Sequence, residues 1–369
     1  MSVFEASVQA FLKPILHFLQ DDSVSEIMIN GFETIFIERK GLVEKTDVKF
    51  DDEGALMAAV RNISQFVGRP ISEEHPFLDA RLPDGSRIHA VVPPVAKCGT
   101  TVAIRKFSKT KLEMKDLIAK GALNAEAARF LDVCLYLKKN IIVSGGTGSG
   151  KTTLLNILAS RCQPNQRILV LEDSSELKIY NTHVLYMEAR PADEYGKGLV
   201  TLKDLVKSSL RLRPDRVIVG EVRGGEAMDL ISSMNTGHSG SMGTVHSNNP
   251  KECLTRLETL ALMTDSEVPV QAVRSQVASA INVVVQLSRM QDGARKITHI
   301  SECMGMDSQL NYTTRDIYLF EQHGRDKEGK VLGNLLPTGQ IPSFMREIEV
   351  NSLPFPKELF NKKNSNQAA

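Results

Sequence analysis

The sequence has little that would carry it into or through a membrane. No apolar stretch among its 369 residues approaches the ~18 residues needed to span a bilayer. Its longest apolar run, around residues 281–287, suits a core strand instead. The N-terminus also lacks a signal-peptide pattern. These absences predict a cytosolic chain, or one that reaches a membrane surface only through partners.

Cysteine is scarce and widely spaced, which excludes two common kinds of site. The chain has five cysteines, and no two of them form a C-x-x-C pair, so neither a zinc ribbon nor a dithiol redox motif is predicted. We expect reduced thiols that serve as small, buried apolar residues. The five are Cys98, Cys134, Cys162, Cys253 and Cys303.

The sequence also has no marked excess of positive or negative charge. The chain has 45 Lys and Arg against 44 Asp and Glu, which leaves a net charge of +1. A dedicated nucleic-acid binder usually carries a basic excess, and basic motifs interleaved with aromatic residues are also lacking. The sequence therefore disfavours nucleic acid as a partner, although a local basic patch stays possible.

The sequence does contain a phosphate loop. Residues 145–152 read Gly-Gly-Thr-Gly-Ser-Gly-Lys-Thr, after an apolar strand candidate at 141–144 and before a helical stretch at 153–160. Lys151 is expected to reach the β- and γ-phosphates, and the Thr152 hydroxyl to bind Mg²⁺. The alternative is a glycine-rich turn that binds nothing. The residues expected to bind ATP are Gly146, Thr147, Gly148, Ser149, Gly150, Lys151, Thr152 and Thr153.

Periodicity predicts an α/β fold in two domains. Residues 1–20 have helical spacing and only Lys13 as a basic residue, which favours a helix docked on a core over one lying on a membrane. We place an N-terminal domain at 1–107, a linker at 108–113, an ATPase domain at 114–360 and a frayed tail at 361–369. The ATPase domain is expected to have a mostly parallel sheet with helices on both faces, because its β and α elements alternate. Strands are predicted at 25–29, 35–39, 80–82, 87–92, 100–107, 141–144, 167–171, 184–187, 216–219 and 281–287, and helices at 56–66, 114–120, 125–138, 153–160 and 226–234.

Three further motifs carry groups that nucleotide hydrolysis needs. Acids at 172–176 follow a predicted strand, where ligands bind in open α/β sheets; a solvated acidic turn is the alternative. Glu221 follows the strand at 216–219 in a Walker-B arrangement, although Glu replaces the usual Asp. His238 and His246 lie in a glycine-rich loop and are candidates for sensing the γ-phosphate, although such histidines can be structural.

The run from Arg211 to Glu226, with Gly-Thr-Val-His-Ser-Asn-Asn-Pro ending at Pro250, resembles the type II/type IV secretion ATPases. The resemblance is closest to the tight-adherence (Flp) pilus ATPases, the CpaF branch, and covers roughly residues 20–360. The motifs that carry it are Ser-Glu-Ile-Met-Ile-Asn-Gly at 25–31, Ile-Glu-Arg-Lys-Gly at 37–41, Arg-Leu-Pro-Asp-Gly-Ser-Arg at 81–87, the eight-residue spacing of the histidines, and Pro-Thr-Gly-Gln-Ile-Pro at 337–342.

The resemblance implies a role for each matching residue. Glu176 falls on the catalytic glutamate of the family's "Asp box", and Glu221 on the Walker-B glutamate. His238 and His246 fall on the "His box". Arginines of the N-terminal domain are expected at the nucleotide, since guanidinium groups stabilise transferring phosphates; each could equally be a surface ion-pair partner. The candidates are Arg81, Arg87 and Arg105, followed by Arg190 and Arg223.

The resemblance also implies an architecture and a machine. The N-terminal domain would be PAS-like and the second domain RecA-like, in a cytosolic ring of six. ATP hydrolysis with Mg²⁺ would swing the domains about the linker and move an inner-membrane platform protein of a pilus or secretion system. The tetracysteine zinc element of some relatives is missing, so no zinc is expected. Two rivals remain: a RecA-like helicase or DNA-packaging motor, and a nucleotide-gated scaffold with little turnover.

Overall fold

The computed structural model describes residues 3–39, 41–106, 112–193, 195–264 and 268–362. The chain divides into two compact units, Met1–Lys111 with Asp193–Tyr195 and Leu112–Ala192 with Gly196–Ala369. Most of the predicted linker, residues 108–111, and most of the predicted tail, residues 363–369, lie outside the described residues.

The first unit is an antiparallel sheet with helices packed against it. Its described strands run in the order β3-β2-β1-β6-β5-β4, and every neighbouring pair is antiparallel. The helices are α1 (Val3–Phe11), α2 (Leu16–Gln20) and α3 (Glu53–Val67), and the strands are β1 (Val24–Asn30), β2 (Ile35–Arg39), β3 (Leu42–Lys45), β4 (Phe77–Arg81), β5 (Arg87–Val91) and β6 (Thr101–Arg105).

The N-terminal segment docks on the core of this unit, as predicted, but not as one helix. Val8, Leu12, Ile15 and Phe18 are buried in the same cluster as the sheet. The α-helix ends at Phe11, and a 3₁₀ turn over Lys13–Ile15 precedes α2. Pro14 has no N–H and cannot continue the helical hydrogen bonding, which explains the break.

The second unit is built on a larger mixed sheet. Among the described residues its order is β15-β14-β13-β12-β7-β11-β10-β8-β9. Neighbours from β12 to β9 are parallel, and β12 to β15 are antiparallel. The strands are β7 (Ile141–Gly145), β8 (Ile168–Glu172), β9 (Val184–Glu188), β10 (Arg216–Val219), β11 (Met242–Val245), β12 (Val283–Arg289), β13 (Arg295–Met306), β14 (Tyr312–Arg325) and β15 (Val331–Pro337). The helices are α4 (Met114–Ala119), α5 (Ala125–Tyr136), α6 (Lys151–Ser160), α7 (Leu202–Ser209), α8 (Glu226–Asn235), α9 (Pro250–Ala261), α10 (Val270–Ala280) and α11 (Met345–Val350).

Helices cover both faces of this sheet, which confirms the predicted layering. Alternate residues of the central strand β7 point into different cores: Ile141 and Val143 pack with α5 and α6, whereas Ile142 packs with α7 to α10. All of β7 is buried, as expected for a central parallel strand covered twice. The antiparallel extension β13 to β15 was not predicted.

The cysteines are free thiols, but the expectation that all five are buried is wrong for Cys98, which is exposed. Cys134, Cys162 and Cys253 are buried, and Cys303 is partly buried. Burial raises the pKa of the Cys253 thiol to about 12. Within the described residues, no helix is both long and apolar enough to cross a membrane.

Candidate active site

The predicted phosphate loop joins β7 to α6. Gly148 and Gly150 have φ values of 68° and 97°, which only glycine adopts without strain. A Cβ at Gly145 would lie 2.6 Å from the carbonyl oxygen of Leu287 in the neighbouring strand. The glycine pattern of the sequence is therefore explained by backbone geometry and by close packing against β12.

Lys151 folds back over this loop. Its Nζ donates to the Gly146 carbonyl at 3.0 Å, and the Ser149 hydroxyl donates to the same oxygen at 2.8 Å. Thr152 and Thr153 lie in the first turn of α6 and are partly exposed. The first N–H groups of a helix have no acceptor within it, so loop and helix together offer donors for an anion.

A buried glutamate fixes the acidic loop after β8. Glu172 is 4% exposed, and its Oε1 accepts hydrogen bonds from the N–H groups of Glu176 at 2.8 Å and Leu177 at 3.0 Å. Burial raises the pKa of Glu172, although these two hydrogen bonds oppose the change. A Cβ at Gly220 would lie 2.8 Å from Glu172 Cγ, so Gly220 leaves the room that Glu172 occupies.

A second buried glutamate fixes the loop after β10. Oε1 of Glu226, at the start of α8, accepts hydrogen bonds from the N–H groups of Arg223 at 2.6 Å and Gly224 at 2.8 Å. Glu221 lies in the loop held in this way, with its side chain 29% exposed, and forms an ion pair with Arg223. β10 and β8 are parallel neighbours, so both acidic loops leave the same edge of the sheet.

Arg223 joins the two acidic loops electrostatically. Burial opposes its charge, but the hydrogen bond to Glu221 and the charges of Glu221, Asp173 and Glu176 together raise its pKa. The predicted catalytic residues Glu176 and Glu221 are thus brought together at the edge where the phosphate loop lies. Arg190, another candidate, instead donates from Nε to the Gly198 carbonyl at 2.7 Å.

The structure does not bring the two predicted histidines together. Val245 pairs with Ser144 and Met242 with Ile141, so His246 follows β11 beside the phosphate loop. His238 precedes β11 and lies towards the opposite edge, where the Gly240 N–H donates to Asn140. One strand separates the pair. Their shared γ-phosphate role stays a prediction, and within one chain only His246 is at the right edge.

The arginines of the first unit lie in one row across its sheet. Arg81 on β4 is opposite Arg87 on β5, which is opposite Arg105 on β6. Glu26 on β1 is opposite Arg105 and continues the row. Directly opposed residues share a face, and opposed like charges are destabilising. Asp79 pairs with Arg87 at 3.7 Å, and Glu26 faces Arg105, so carboxylates balance part of the positive charge of the row. A role of these arginines at a nucleotide stays a prediction.

Two arginines beside the phosphate loop were missed from the sequence. Arg295 Nε donates to the Gly148 carbonyl at 2.9 Å. Arg289 Nη1 lies 3.3 Å from the position that a Cβ on Gly148 would take. Neither belongs to a sequence motif, because β12 and β13 bring them to the loop from more than 130 residues away.

The residues present suit a Mg²⁺ ion shared with a nucleotide better than a metal site built entirely from protein side chains. In the described part of the chain, no group of three or more His, Cys, Asp and Glu side chains is placed to hold a metal ion. Mg²⁺ usually takes few protein ligands and completes its shell with phosphates and water. The Thr152 hydroxyl and the nearby carboxylates fit that pattern, with ATP supplying the phosphates.

Comparison with known proteins identifies the family. The model of the family described as "Type II/IV secretion system protein" matches residues 9–327. The chain belongs to this family. Membership confirms the enzyme class predicted from the phosphate loop, an ATPase, and confirms the broad resemblance seen in the sequence. It does not test the closeness to the tight-adherence branch.

The chain is similar to several named proteins. It is 32% identical to the type IV secretion system protein VirB11 of Brucella suis, over 80% of this chain and 90% of that protein. It is 31% identical to the conjugal transfer protein TrbB of Rhizobium radiobacter, over 76% and 85%. The crystal structure of the ATPase DotB of Yersinia pseudotuberculosis shares the fold, with a TM-score of 0.57 at 18% identity, over 81% of this chain and 80% of that one.

Proposed function

We propose that this chain is a ring-forming motor that hydrolyses ATP to drive pilus assembly, pilus retraction or secretion through an inner-membrane platform protein. The observation that carries the proposal is the meeting of three parts at one sheet edge: the phosphate loop with Lys151, the Glu176 loop and the Glu221 loop. These parts supply phosphate binding, a water-positioning carboxylate and a Walker-B carboxylate.

The chemistry follows from the position of each group. Backbone N–H groups of residues 146–153 hold the phosphates, and Lys151 exchanges its contact with the Gly146 carbonyl for the β- and γ-phosphates. The Thr152 hydroxyl would hold Mg²⁺, which would supply positive charge to the phosphates. Glu176 positions the attacking water and accepts its proton, and Glu221 would help to hold the metal, directly or through water. His246 contacts the γ-phosphate or relays its loss.

The domain plan is part of the proposal. We assign residues 1–107 to a PAS-like domain, 108–113 to a linker that acts as a hinge, 114–360 to a RecA-like domain and 361–369 to a tail. The row of Arg81, Arg87 and Arg105 supplies guanidinium groups to the nucleotide phosphates. A cytosolic hexamer, peripheral to the inner membrane through its partner, is the expected assembly.

The motifs at 25–31, 37–41, 81–87 and 337–342 favour a tight-adherence pilus as the machine. A second candidate, type IV secretion or conjugal transfer, is favoured by similarity to VirB11 and TrbB over most of the chain. Both machines use the same ATPase chemistry. Pilin genes or conjugation genes beside the coding sequence would separate them.

The deciding experiment measures Mg-ATP turnover per chain as chain concentration rises from nanomolar to micromolar, with the assembly mass measured at each point. The expected result is a steep rise that tracks ring formation, because a site shared between subunits is complete only in the ring. Lys151→Ala should abolish turnover at every concentration, since the loop then lacks its phosphate-binding charge.

Other outcomes would separate the rivals. A monomer with full turnover would overturn the ring mechanism. Turnover that rises with single-stranded nucleic acid and falls steeply with salt would favour the helicase alternative. A ring that binds ATP but turns over equally slowly with and without Glu176 would favour the scaffold.

A further inference from the structure

The turn between β12 and β13 begins and ends with arginine. Arg289 is the last residue of β12, Arg295 is the first of β13, and the two are opposed in the register. A tight turn joins them, closed by a hydrogen bond of 2.7 Å from the Met290 N–H to the Ala294 carbonyl. The two charged side chains therefore leave neighbouring positions at one end of the hairpin.

Both arginines lie against the phosphate loop. Besides its hydrogen bond to the Gly148 carbonyl, Arg295 passes Gly150, where an added Cβ would be 3.5 Å from Arg295 Cδ. A Cβ at Gly148 would be 3.3 Å from Arg289 Nη1. Both residues are exposed to solvent. Their side chains thus lie beside the loop and are accessible from solvent.

The turn is held in place from its other side. Asp292 accepts hydrogen bonds from the N–H groups of Ala294 at 3.0 Å and Val331 at 2.7 Å, the second being at the start of β15. Gln291 accepts a hydrogen bond from Arg325 at the end of β14. Contacts of this kind hold a binding side chain in position by fixing the backbone that carries it. Arg289 and Arg295 are thus presented by a braced hairpin.

We propose that Arg289 binds the phosphate chain of the nucleotide and that Arg295 positions the loop that holds it. The proposal rests on the nucleotide site proposed above. Two opposed guanidinium groups place positive charge beside an anion-binding loop, and guanidinium groups bind phosphate through paired, charge-assisted hydrogen bonds. Because such loops cradle the α- and β-phosphates with their backbone, Arg289 serves ADP as well as ATP.

The test is calorimetric binding of ADP and of a non-hydrolysable ATP analogue to the full chain, at matched assembly mass. Loss of a guanidinium–phosphate contact should weaken both ligands about tenfold in Arg289→Gln. Arg289→Lys keeps the charge and should recover part of that loss. Arg346→Gln, an exposed arginine on α11, is the matched control and should bind like the wild type.

Arg295 needs a readout that separates positioning from folding. Arg295→Gln should raise the KM for ATP by a larger factor than it lowers kcat, because the loop loses its hold at Gly148. Its thermal midpoint should stay near that of Arg346→Gln. A fall in the midpoint with KM unchanged would mean that Arg295 only stabilises the fold and would overturn its positioning role.

The failures of the two proposals can be told apart. Arg289→Gln that binds ADP as tightly as the wild type would overturn the role of Arg289, while normal ATP turnover would leave the motor proposal intact. A wild-type chain that binds ADP but does not hydrolyse ATP would overturn the motor proposal alone. If the wild type binds neither ligand, both proposals fall.

Discussion

The side chain of Glu172 holds the backbone of Glu176, through a hydrogen bond of 2.8 Å from the Glu176 N–H to Glu172 Oε1. Glu226 does the same for the loop that carries Glu221. In both loops a buried carboxylate at the end of a strand or the start of a helix fixes the backbone that carries a partly exposed acid. The precision of the site therefore depends on residues that need never touch the nucleotide.

Replacement of Glu172 separates its role as an acceptor from its charge. Glu172→Gln keeps an oxygen that can accept both N–H groups, so we expect ATP turnover within about threefold of wild type. Glu172→Ala leaves two buried donors unsatisfied and should lower turnover more than tenfold, with a loss of about 2 kcal/mol or more in stability. Steady-state kinetics and thermal unfolding check both. Equal loss in the two variants would mean that the negative charge itself takes part.

The same carboxylate gives a pH dependence with a definite sign. Burial raises the pKa of Glu172, so the folded chain binds its proton more tightly than the unfolded chain. Stability from this group falls as pH rises from the unfolded pKa, near 4.5, through the folded pKa. Glu172→Gln removes that cost, and its advantage in thermal midpoint should be largest at pH 7 and shrink on acidification below the folded pKa. An advantage that does not change with pH would contradict the burial explanation.

Glu176 can be tested against an acid elsewhere on the same unit. Glu176→Gln should lower kcat by about 10²- to 10⁴-fold while ATP still binds, because the variant lacks the proposed general base for the attacking water. The control Glu349→Gln removes an exposed acid paired with Lys357 and should keep wild-type turnover. Single-turnover kinetics separate binding from chemistry. If kcat is unchanged, Glu176 is a solvated loop residue and another carboxylate activates the water.

Local sequence signals predicted the elements that carry the site. The strand, loop and helix at 141–160 are present as expected, since a buried apolar strand and a run of glycines leave few alternatives. β10 has the predicted bounds, Arg216–Val219. β3 was missed because its residues are all exposed and show no alternation of apolar and polar side chains. β13 to β15 were missed because no local signal in the sequence marked them as strands. Their position follows only from their pairing in the sheet.

Relationships between distant segments could not be predicted from the sequence. The roles of Glu172 and Glu226 depend on backbone N–H groups, which no residue pattern reveals. The separation of His238 from His246 follows from β11, a strand of only four residues between them that was not among the predicted elements. Arg289 and Arg295 reach the phosphate loop through strand order alone. Predicting each of these relationships requires knowing how the distant segments are arranged around the sheet.

The exposed thiol gives a direct test of the burial pattern. Cys98 is exposed, whereas the pKa values of the Cys134, Cys162, Cys253 and Cys303 thiols are all raised by burial. Because thiolates react and thiols do not, one cysteine in the folded chain should react fast with a maleimide. Mass spectrometry of Cys98→Ser should show no fast labelling. A second fast site would place one of the other thiols at the surface.

We expect the row of Arg81, Arg87 and Arg105 to support ATP turnover at a cost in the free energy of unfolding. Arg87 lies between Arg81 and Arg105, and its ion pair with Asp79 at 3.7 Å is largely exposed and adds little. Arg87→Gln relieves two repulsions and should raise stability by about 0.2–1 kcal/mol at low salt, with less effect at high salt. If Arg87 acts on the nucleotide phosphates as proposed, ATP turnover should fall at the same time, because that guanidinium group is lost. Arg61→Gln, an exposed arginine on α3, is the control and should change neither quantity. Thermal unfolding at two salt concentrations, with turnover measured in parallel, gives both quantities. Arg87→Gln with unchanged turnover and lower stability would make Arg87 an ordinary surface ion-pair partner of Asp79.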